Sequence, residues 1–365
     1  MAPPASRWLR TLVFLAVLFA FFLAIDLLGQ AFGLFGKGLA VTLIERTSNP
    51  FVGLFIGLLS TAIVQSSSTT TSLTVALVAA GALTVDGAIP VVMGANIGTS
   101  VTNILVSLGH VTRRVEFERA FAGASVHDLF NLITVAILLP FELATGYLAH
   151  TSVRLAAALG GVGGLELFDP VRTLVRPVSV AVADLLGRSP VAVLTVALLL
   201  LFVSLKLLVD ILRAVMSGRA EQVLHRTLFR SATAAITAGL LMTVMVQSSS
   251  ITTSVMVPLV AAGVVTLEQV FPFTVGANIG TTITALIAAL ATGSAEALTV
   301  AFAHLVFNLT GMLLVFVPPP MRAIPLALAR ALGRMAVHTR LYAVLYVVLV
   351  FFIIPAALIV LSESD

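Results

Sequence analysis

The chain has 365 residues, of which 59% are hydrophobic and only 10% charged, well under half the charged share of an average soluble domain. That composition excludes a soluble enzyme or binding module, and the absence of cysteine excludes disulfides, thiolate nucleophiles and cysteine-held metal. The net charge of +4 comes from arginines grouped in short stretches, which membrane orientation explains better than nucleic-acid binding does.

Residues 11–28 follow Arg7 and Arg10, are long enough to span a membrane and lack a convincing cleavage site, so they read as a first transmembrane helix rather than a signal peptide. Residues 31–46 carry Lys37, Glu45 and Arg46 and predict a short amphipathic helix at the interface. Residues 51–84 then run without a charge, save for nothing but hydroxyls and Gln65. The run is too long for one crossing, and its polar centre leaves two arms that are each shorter than the ~20 residues a crossing needs. A re-entrant helical hairpin with its tip at Gln65, Ser66, Ser67 and Ser68 is the economical solution, since irregular backbone at membrane depth must be covered by protein or line a cavity. Residues 86–109 form the next span, in which GANIGT at 94–99 frames Asn96 with glycines and predicts a broken helix. An arginine cluster (Arg113, Arg114, Arg119) precedes a span at 117–140 carrying His127, Asp128 and Asn131. Residues 142–189, with a glycine cluster at 160–164, read as a connector of interfacial helices and loops.

The second half replays the first. A span at 191–216 and a basic loop with Arg219, Arg226 and Arg230 lead to a second hairpin, 231–266, with its tip at Gln247, Ser248, Ser249 and Ser250. A second broken helix, 268–291, holds GANIGT at 276–281, and HLVFN at 304–308 matches HDLFN at 127–131. Residues 64–81 and 246–263 are identical at 14 of 18 positions, and the same offset of 182 relates the two GANIGT copies. An arginine-bearing amphipathic stretch and a last span, 341–361, close the chain. The expected fold class is an all-α polytopic membrane protein with two repeats, 1–141 and 190–320, followed by a C-terminal segment, 321–365. Each repeat holds three crossings and one hairpin that returns to its own side, so the repeats enter from opposite faces. Such an inverted topology is the signature of secondary transporters, and it gathers the arginine-rich loops on one side.

Serines and threonines in membrane helices ordinarily bond back to their own helix carbonyls. That accounts for one or two hydroxyls per helix, not for seven in a row after a glutamine, repeated in the other half. The pair of tips therefore reads as a binding site. Between residues 47 and 112 the only charged residue is Asp86, and between 231 and 295 only Glu268, so neither core offers a lysine or arginine to an anion. Free N–H groups at the start of the second arms, with serine hydroxyls, are donors for an anion. Glutamine, asparagine and hydroxyl oxygens suit a hard monovalent cation, which would offset the anion's charge. Physical chemistry thus points to a cation-coupled anion carrier. Asp86 and Glu268 read as charges at helix N-termini, and His127, His304, Asn131 and Asn308 as packed, hydrogen-bonded helix residues.

VQSSS, GANIGT, FAGASVHDLFN with LLPFE, and HLVFNLTG closely resemble the type II sodium-dependent phosphate cotransporter family, in a compact bacterial-type form. The resemblance implies inorganic phosphate as substrate, Na+ as coupling ion and no resident cofactor. It implies a transport domain of two hairpins and two broken helices that moves elevator-like against a scaffold, in the plasma membrane or bacterial inner membrane. Carried to matching positions, Ser66, Ser67, Ser68, Ser248, Ser249 and Ser250 resemble the phosphate shell. Gln65, Thr69, Asn96, Thr99, Gln247, Thr252, Asn278 and Thr281 resemble sodium ligands. Elevator carriers often dimerise through the scaffold, which makes a homodimer an expectation of the same resemblance. The animal members carry a large disulfide-bearing loop between the halves, which this cysteine-free chain lacks.

Three other readings stand beside a sodium–phosphate symporter. A Na+-coupled carrier for another oxyanion or a dicarboxylate would differ in which anions compete. A channel with symmetric re-entrant loops would pass currents far above carrier turnover. An intramembrane hydrolase using Ser67 with His127 or His304 would need an activated serine and a third triad member, and the sequence supplies neither.

Overall fold

The computed structural model describes residues 7–35, 37–161, 169–216 and 231–362, and every regular element among them is helical. The basic loop expected around Arg219, Arg226 and Arg230, and most of the glycine cluster at 160–164, lie outside the described residues. Among the described residues seven helices are long and apolar enough to cross a membrane: Thr11–Phe35, Val85–Leu108, Arg114–Thr145, Pro190–Leu207, Leu267–Thr292, Ala295–Phe316 and Arg340–Leu361. They match the seven crossings expected from the sequence.

The first half consists of α1 (Arg7–Phe35), α2 (Lys37–Thr47), α3 (Pro50–Val64), α4 (Ser67–Ala79), α5 (Val85–Gly98), α6 (Val101–Leu108) and α7 (Arg114–Thr145). The 15 residues of α3 extend only about 22 Å, short of the ~30 Å apolar core of a bilayer. α8 (Tyr147–Gly161) and α9 (Asp169–Leu185) occupy the connector. The second half comprises α10 (Pro190–Met216), α11 (Ala232–Val246), α12 (Ser249–Ser254), α13 (Met256–Ala261), α14 (Leu267–Thr292) and α15 (Ala295–Gly311). α16 (Pro319–His338) and the span Arg340–Leu361 complete the chain.

One local difference between the halves has a direct cause. α4 runs unbroken, whereas its counterpart divides into α12 and α13 at Val255. Pro258 stands where the first copy has Ala76. Its ring cannot donate to the carbonyl four residues back, at Ser254, so the helix interrupts there.

Of the two expected broken helices, the first is interrupted at the end of its motif and the second is corrected to a continuous helix. In the first half GANIG stays helical and the interruption falls just after it, at Thr99 and Ser100, whose dihedrals remain right-handed helical. In the second half α14 passes through 276–281 without a break. The glycines serve close approach instead of unwinding. A methyl at Gly94 would sit 1.8 Å from the Leu54 carbonyl oxygen, and one at Gly57 1.9 Å from that of Val91. The equivalent pair recurs 182 positions on: a methyl at Gly276 would lie 1.9 Å from Ile236 O, and one at Gly239 2.0 Å from Phe273 O. Thus α3 on α5, and α11 on α14, pack backbone to backbone through small residues, as membrane helices do when dispersion must replace the hydrophobic effect.

Beside the hairpins, α1 packs on α4, on α10 and on α9, where Ser179 donates to Asp26 and Gln30 donates to Ser179 at 2.6 Å. At the opposite flank α16 lies along α7, with Gly333 against the Glu118 carbonyl. Arg119 of α7 borders the Gly263 turn that leads into α14, so α7 and α14 begin at the same end of the molecule.

Gly94→Ala and Gly276→Ala are expected to lower the melting temperature of the detergent-solubilised protein, since overpacking of this kind costs about 1–3 kcal/mol. Gly33→Ala, whose methyl would meet nothing within 4 Å, is expected to leave it unchanged or raise it. Equal melting temperatures for all three variants would rule out the close helix contacts.

Candidate functional site

Both hairpins turn by the same device. Gln65 ends α3 in the left-handed region (φ 56°, ψ 29°), and Gln247 ends α11 likewise (φ 54°, ψ 26°). A residue with a Cβ pays roughly 1–2 kcal/mol there. Glycine would not, so the glutamines keep a side chain at the tip against the local preference. The next residue is extended in each copy and caps the following helix. Ser66 accepts from the Thr69 N–H at 3.2 Å, and Ser248 from the Ile251 N–H at 3.3 Å.

The tips meet. Ser68 Oγ donates to the Gln247 carbonyl at 3.3 Å, and Ser250 Oγ reaches the Thr99 carbonyl at 3.5 Å. Between these linking serines and the capping ones sit Ser67 and Ser249, equivalent in the two copies and both buried. Neither side-chain hydroxyl has a hydrogen-bond partner among the described residues, and Ser249 Oγ is wholly enclosed. No lysine or arginine is buried among the described residues.

The remaining residues expected at the site are placed as follows. Thr69 Oγ1 donates to Ser66 Oγ at 2.8 Å. Thr252, Thr99 and Thr281 donate to carbonyls four residues back, those of Ser248 (2.9 Å), Ala95 (2.9 Å) and Ala277 (3.1 Å). A hydroxyl that spends its proton this way keeps its lone pairs for a cation. The two glutamines differ. Gln247 Oε1 accepts from Thr284 at 2.7 Å and its Nε2 donates to the Val244 carbonyl at 2.6 Å. Gln65 is exposed, and Thr102, the counterpart of Thr284, has a buried hydroxyl without a partner.

Asn96 and Asn278 are held in a polar network that crosses between the halves. His127 Nε2 lies 2.6 Å from Asn278 Oδ1, and Asn278 Nδ2 donates to Asn131 Oδ1 at 2.7 Å. Asn131 Nδ2 donates to the Asn96 carbonyl at 2.8 Å. On the other side of the ring, Asn103 Nδ2 is 3.2 Å from His127 Nδ1, and Asn103 Oδ1 accepts from Thr253 at 3.0 Å. In this arrangement His127 accepts at Nδ1 and donates from Nε2. The Asn96 side chain receives the matching contacts of the second half, from His304 Nε2 at 3.4 Å and Asn308 Nδ2 at 3.3 Å. His304 Nδ1 has no partner, because Ala285 occupies the position equivalent to Asn103. Among the described residues neither histidine is hydrogen-bonded to a serine.

Asn103 and Asp128 were not singled out as site residues by the sequence. Asp128 is fully buried in α7, where Ser100 Oγ donates to it at 3.2 Å and the Tyr346 hydroxyl donates to its other oxygen. The sequence signal was an acid inside an otherwise apolar span, where ionisable groups are costly. The second copy has Leu305 at this place, which hid it from a comparison of repeats.

His127→Leu would orphan the Asn103 amide and the Asn278 carbonyl, each at about 1–3 kcal/mol. His304→Leu would orphan only the weaker contact to Asn96. Thermal melting in detergent is expected to rank His127→Leu well below His304→Leu. The reverse order would break the assignment of the network.

The family model for the Na+/Pi-cotransporter matches residues 20–165 and 200–354. Sodium-dependent phosphate transport protein 2A of Rattus norvegicus is 34% identical over 442 residues, covering 100% of this chain and 69% of the relative. The 2A protein of Ovis aries is 35% identical, covering 98% and 68%, and sodium-dependent phosphate transport protein 2B of Homo sapiens is 33% identical, covering 97% and 65%. The aligned regions exceed the chain in length, so these relatives carry extra residues inside them. No solved structure matches the chain.

Proposed function

The chain belongs to the Na+/Pi-cotransporter family, and from that premise we propose that it is a secondary active symporter coupling Na+ influx to uptake of inorganic phosphate. The observation that carries the reading is the pair Ser67 and Ser249: buried, equivalent, at touching tips, and with hydroxyls that bond to nothing among the described residues. A tetrahedral oxyanion takes such donors from two sides, with the first-turn N–H groups of α4 alongside. Without a buried arginine or lysine, the anion's charge must be offset by ions that arrive with it. Gln65, Thr69, Thr99, Thr252 and Thr281 offer oxygen lone pairs for Na+. Asp128 adds a carboxylate beside Ser100, next to the Thr99 carbonyl that Ser250 reaches. Asn96, Asn278 and Gln247 hold the frame in the conformation described, and they become ligands only if their present bonds exchange.

Two features support inverted repeats. The tips touch, and α5 and α14 start at opposite ends, because α7 and α14 start together while α6 turns back into α7. The first span of each half, α1 and α10, pack together and also touch the hairpin helices α4 and α11, so they form our candidate scaffold, against which the hairpins and their partner helices move. The membrane we assign is the plasma membrane, or the inner membrane in a bacterium. A homodimer would form through the α1–α10 side.

In proteoliposomes, radiolabelled phosphate uptake is expected to require an inward Na+ gradient and to vanish when choline replaces Na+. Removing one donor to a developing or bound anion costs about 1.5–3 kcal/mol, so Ser67→Ala and Ser249→Ala should each reduce uptake at least about tenfold. Arsenate is expected to compete, while sulfate and succinate are not. Competition by succinate would select a dicarboxylate carrier, and undiminished uptake in both serine variants would sink the site.

A further inference from the structure

A second cluster of donors lies far from the tips, at the end of the molecule where α7 and α14 begin. A cleft of about 340 Å³ opens there between the first turns of α7, the Gly263 turn and α16. Arg119, Arg330 and Arg334 line it together with the Thr266 backbone and side chain. Arg330 and Arg334 are four residues apart and so share one face of α16. Gly333, between them, presses that helix onto α7: a methyl there would come within 2.7 Å of the Glu118 carbonyl oxygen. On the opposite wall Gly263 adopts a left-handed φ of +73°, and a methyl on it would meet Arg119 Nη1 at 2.7 Å. The guanidinium therefore rests over the turn, at a spot only glycine leaves open. The equivalent Gly81 has the same backbone with nothing within 4 Å.

The charges do not cancel within the cleft. Arg330 pairs with Glu268, leaving the other N–H groups of its fork free. Arg119 and Arg334 enter no ion pair or hydrogen bond among the described residues. Glu118 is the one carboxylate on the lining. The floor is apolar, from Ala122, Val260, Val265 and Leu267. The cleft sits where two spans, Arg114–Thr145 and Leu267–Thr292, begin, which is the level of lipid headgroups.

We propose that this cleft is a binding site for a phosphate group, supplied by the headgroup of an anionic phospholipid whose glycerol and acyl chains rest on the apolar floor. The planar forks of Arg119 and Arg334 match phosphate oxygens in pairs, which a lysine would not do. An occupant would join the closing turn of the second hairpin to α7 and α16, making that end of the hairpin sensitive to the lipid around it.

Hydrogen exchange of the full chain in nanodiscs tests this. Nanodiscs of phosphatidylcholine, with increasing phosphatidylglycerol in its place, are compared with phosphatidylcholine nanodiscs given inorganic phosphate. The readout is protection of peptides covering residues 260–269 and 328–336. Phosphatidylglycerol is expected to slow exchange in both. Each arginine near a membrane surface is worth about fivefold in binding, so the double substitution Arg119→Gln with Arg334→Gln should raise the phosphatidylglycerol needed by about thirtyfold. Glu118→Gln, which removes the opposing charge and no donor, should lower it. Protection by inorganic phosphate alone would keep the anion site and overturn the lipid source. Protection by neither, or a response that none of these substitutions moves, would overturn the site.

Discussion

The centre of this molecule depends on the hydrogen bond between His127 and Asn278, at 2.6 Å. Polar groups in a membrane interior have no water to fall back on, so each must find a protein partner or remain costly. His127 lies on α7 of the first half and Asn278 on α14 of the second, and the bond joins them where both are buried. Asn131, Asn96, Asn103 and Thr253 extend the pairing until α5, α6, α7, α14 and the second hairpin form one network. The glycine contacts make this reach geometrically available, since α3 and α5, and α11 and α14, approach to backbone distance. Only with this frame satisfied do the unpartnered hydroxyls of Ser67 and Ser249 acquire meaning. They are the donors left over at a place where two tips converge.

The same accounting explains why the site is built without a positive side chain. A buried arginine would bind an anion and then be left uncompensated when the anion departs, at a cost of several kcal/mol. Hydroxyls and helix N–H groups are neutral, so the empty and loaded frames differ little in self-energy. A carrier must cycle through both. On the proposed reading the charge balance is transferred to mobile cations, which would tie the anion's affinity to their concentration. The described arginines stand instead at the ends of the spans, where water and headgroups solvate them, and among the described residues only Asp128 brings a carboxylate to the centre.

Much of this was legible in the sequence, and the physical reasons are specific. Seven crossings follow from apolar length, and the hairpins from a charge-free run too long for one helix with hydroxyls in its middle. The ends of α3 and α11 fall at Gln65 and Gln247, where glutamine and serine serve no apolar surface. The second GANIGT was misread as a break, and the glycines of both copies as unwinding points, because glycine has two uses in membrane helices, unwinding and close approach, and a sequence alone does not say which. The deciding fact is the facing helix, where Gly57 and Gly239 meet Val91 and Phe273 backbone to backbone. The polar network was invisible for a different reason. The partners that join the halves lie about 150 positions apart, and asparagine and histidine in a span look the same whether they hold each other or a ligand.

The halves are near-identical at the tips and unlike beneath them. Phosphate presents equivalent oxygens in every direction, so donors approaching from two sides do the same job and gain from being the same. What supports the tips faces no such requirement. Asn103 completes the first histidine's bonds where Ala285 leaves the second incomplete, and Pro258 breaks an arm that Ala76 leaves whole. Gln247 is docked on Thr284 while Gln65 and Thr102 are apart. Each difference amounts to a hydrogen bond or two, roughly 1–3 kcal/mol. That is the size of bias that sets which of two conformations an inverted pair prefers without locking it there. A symmetric ligand shell on an asymmetric support gives a transporter a resting state and still lets it leave.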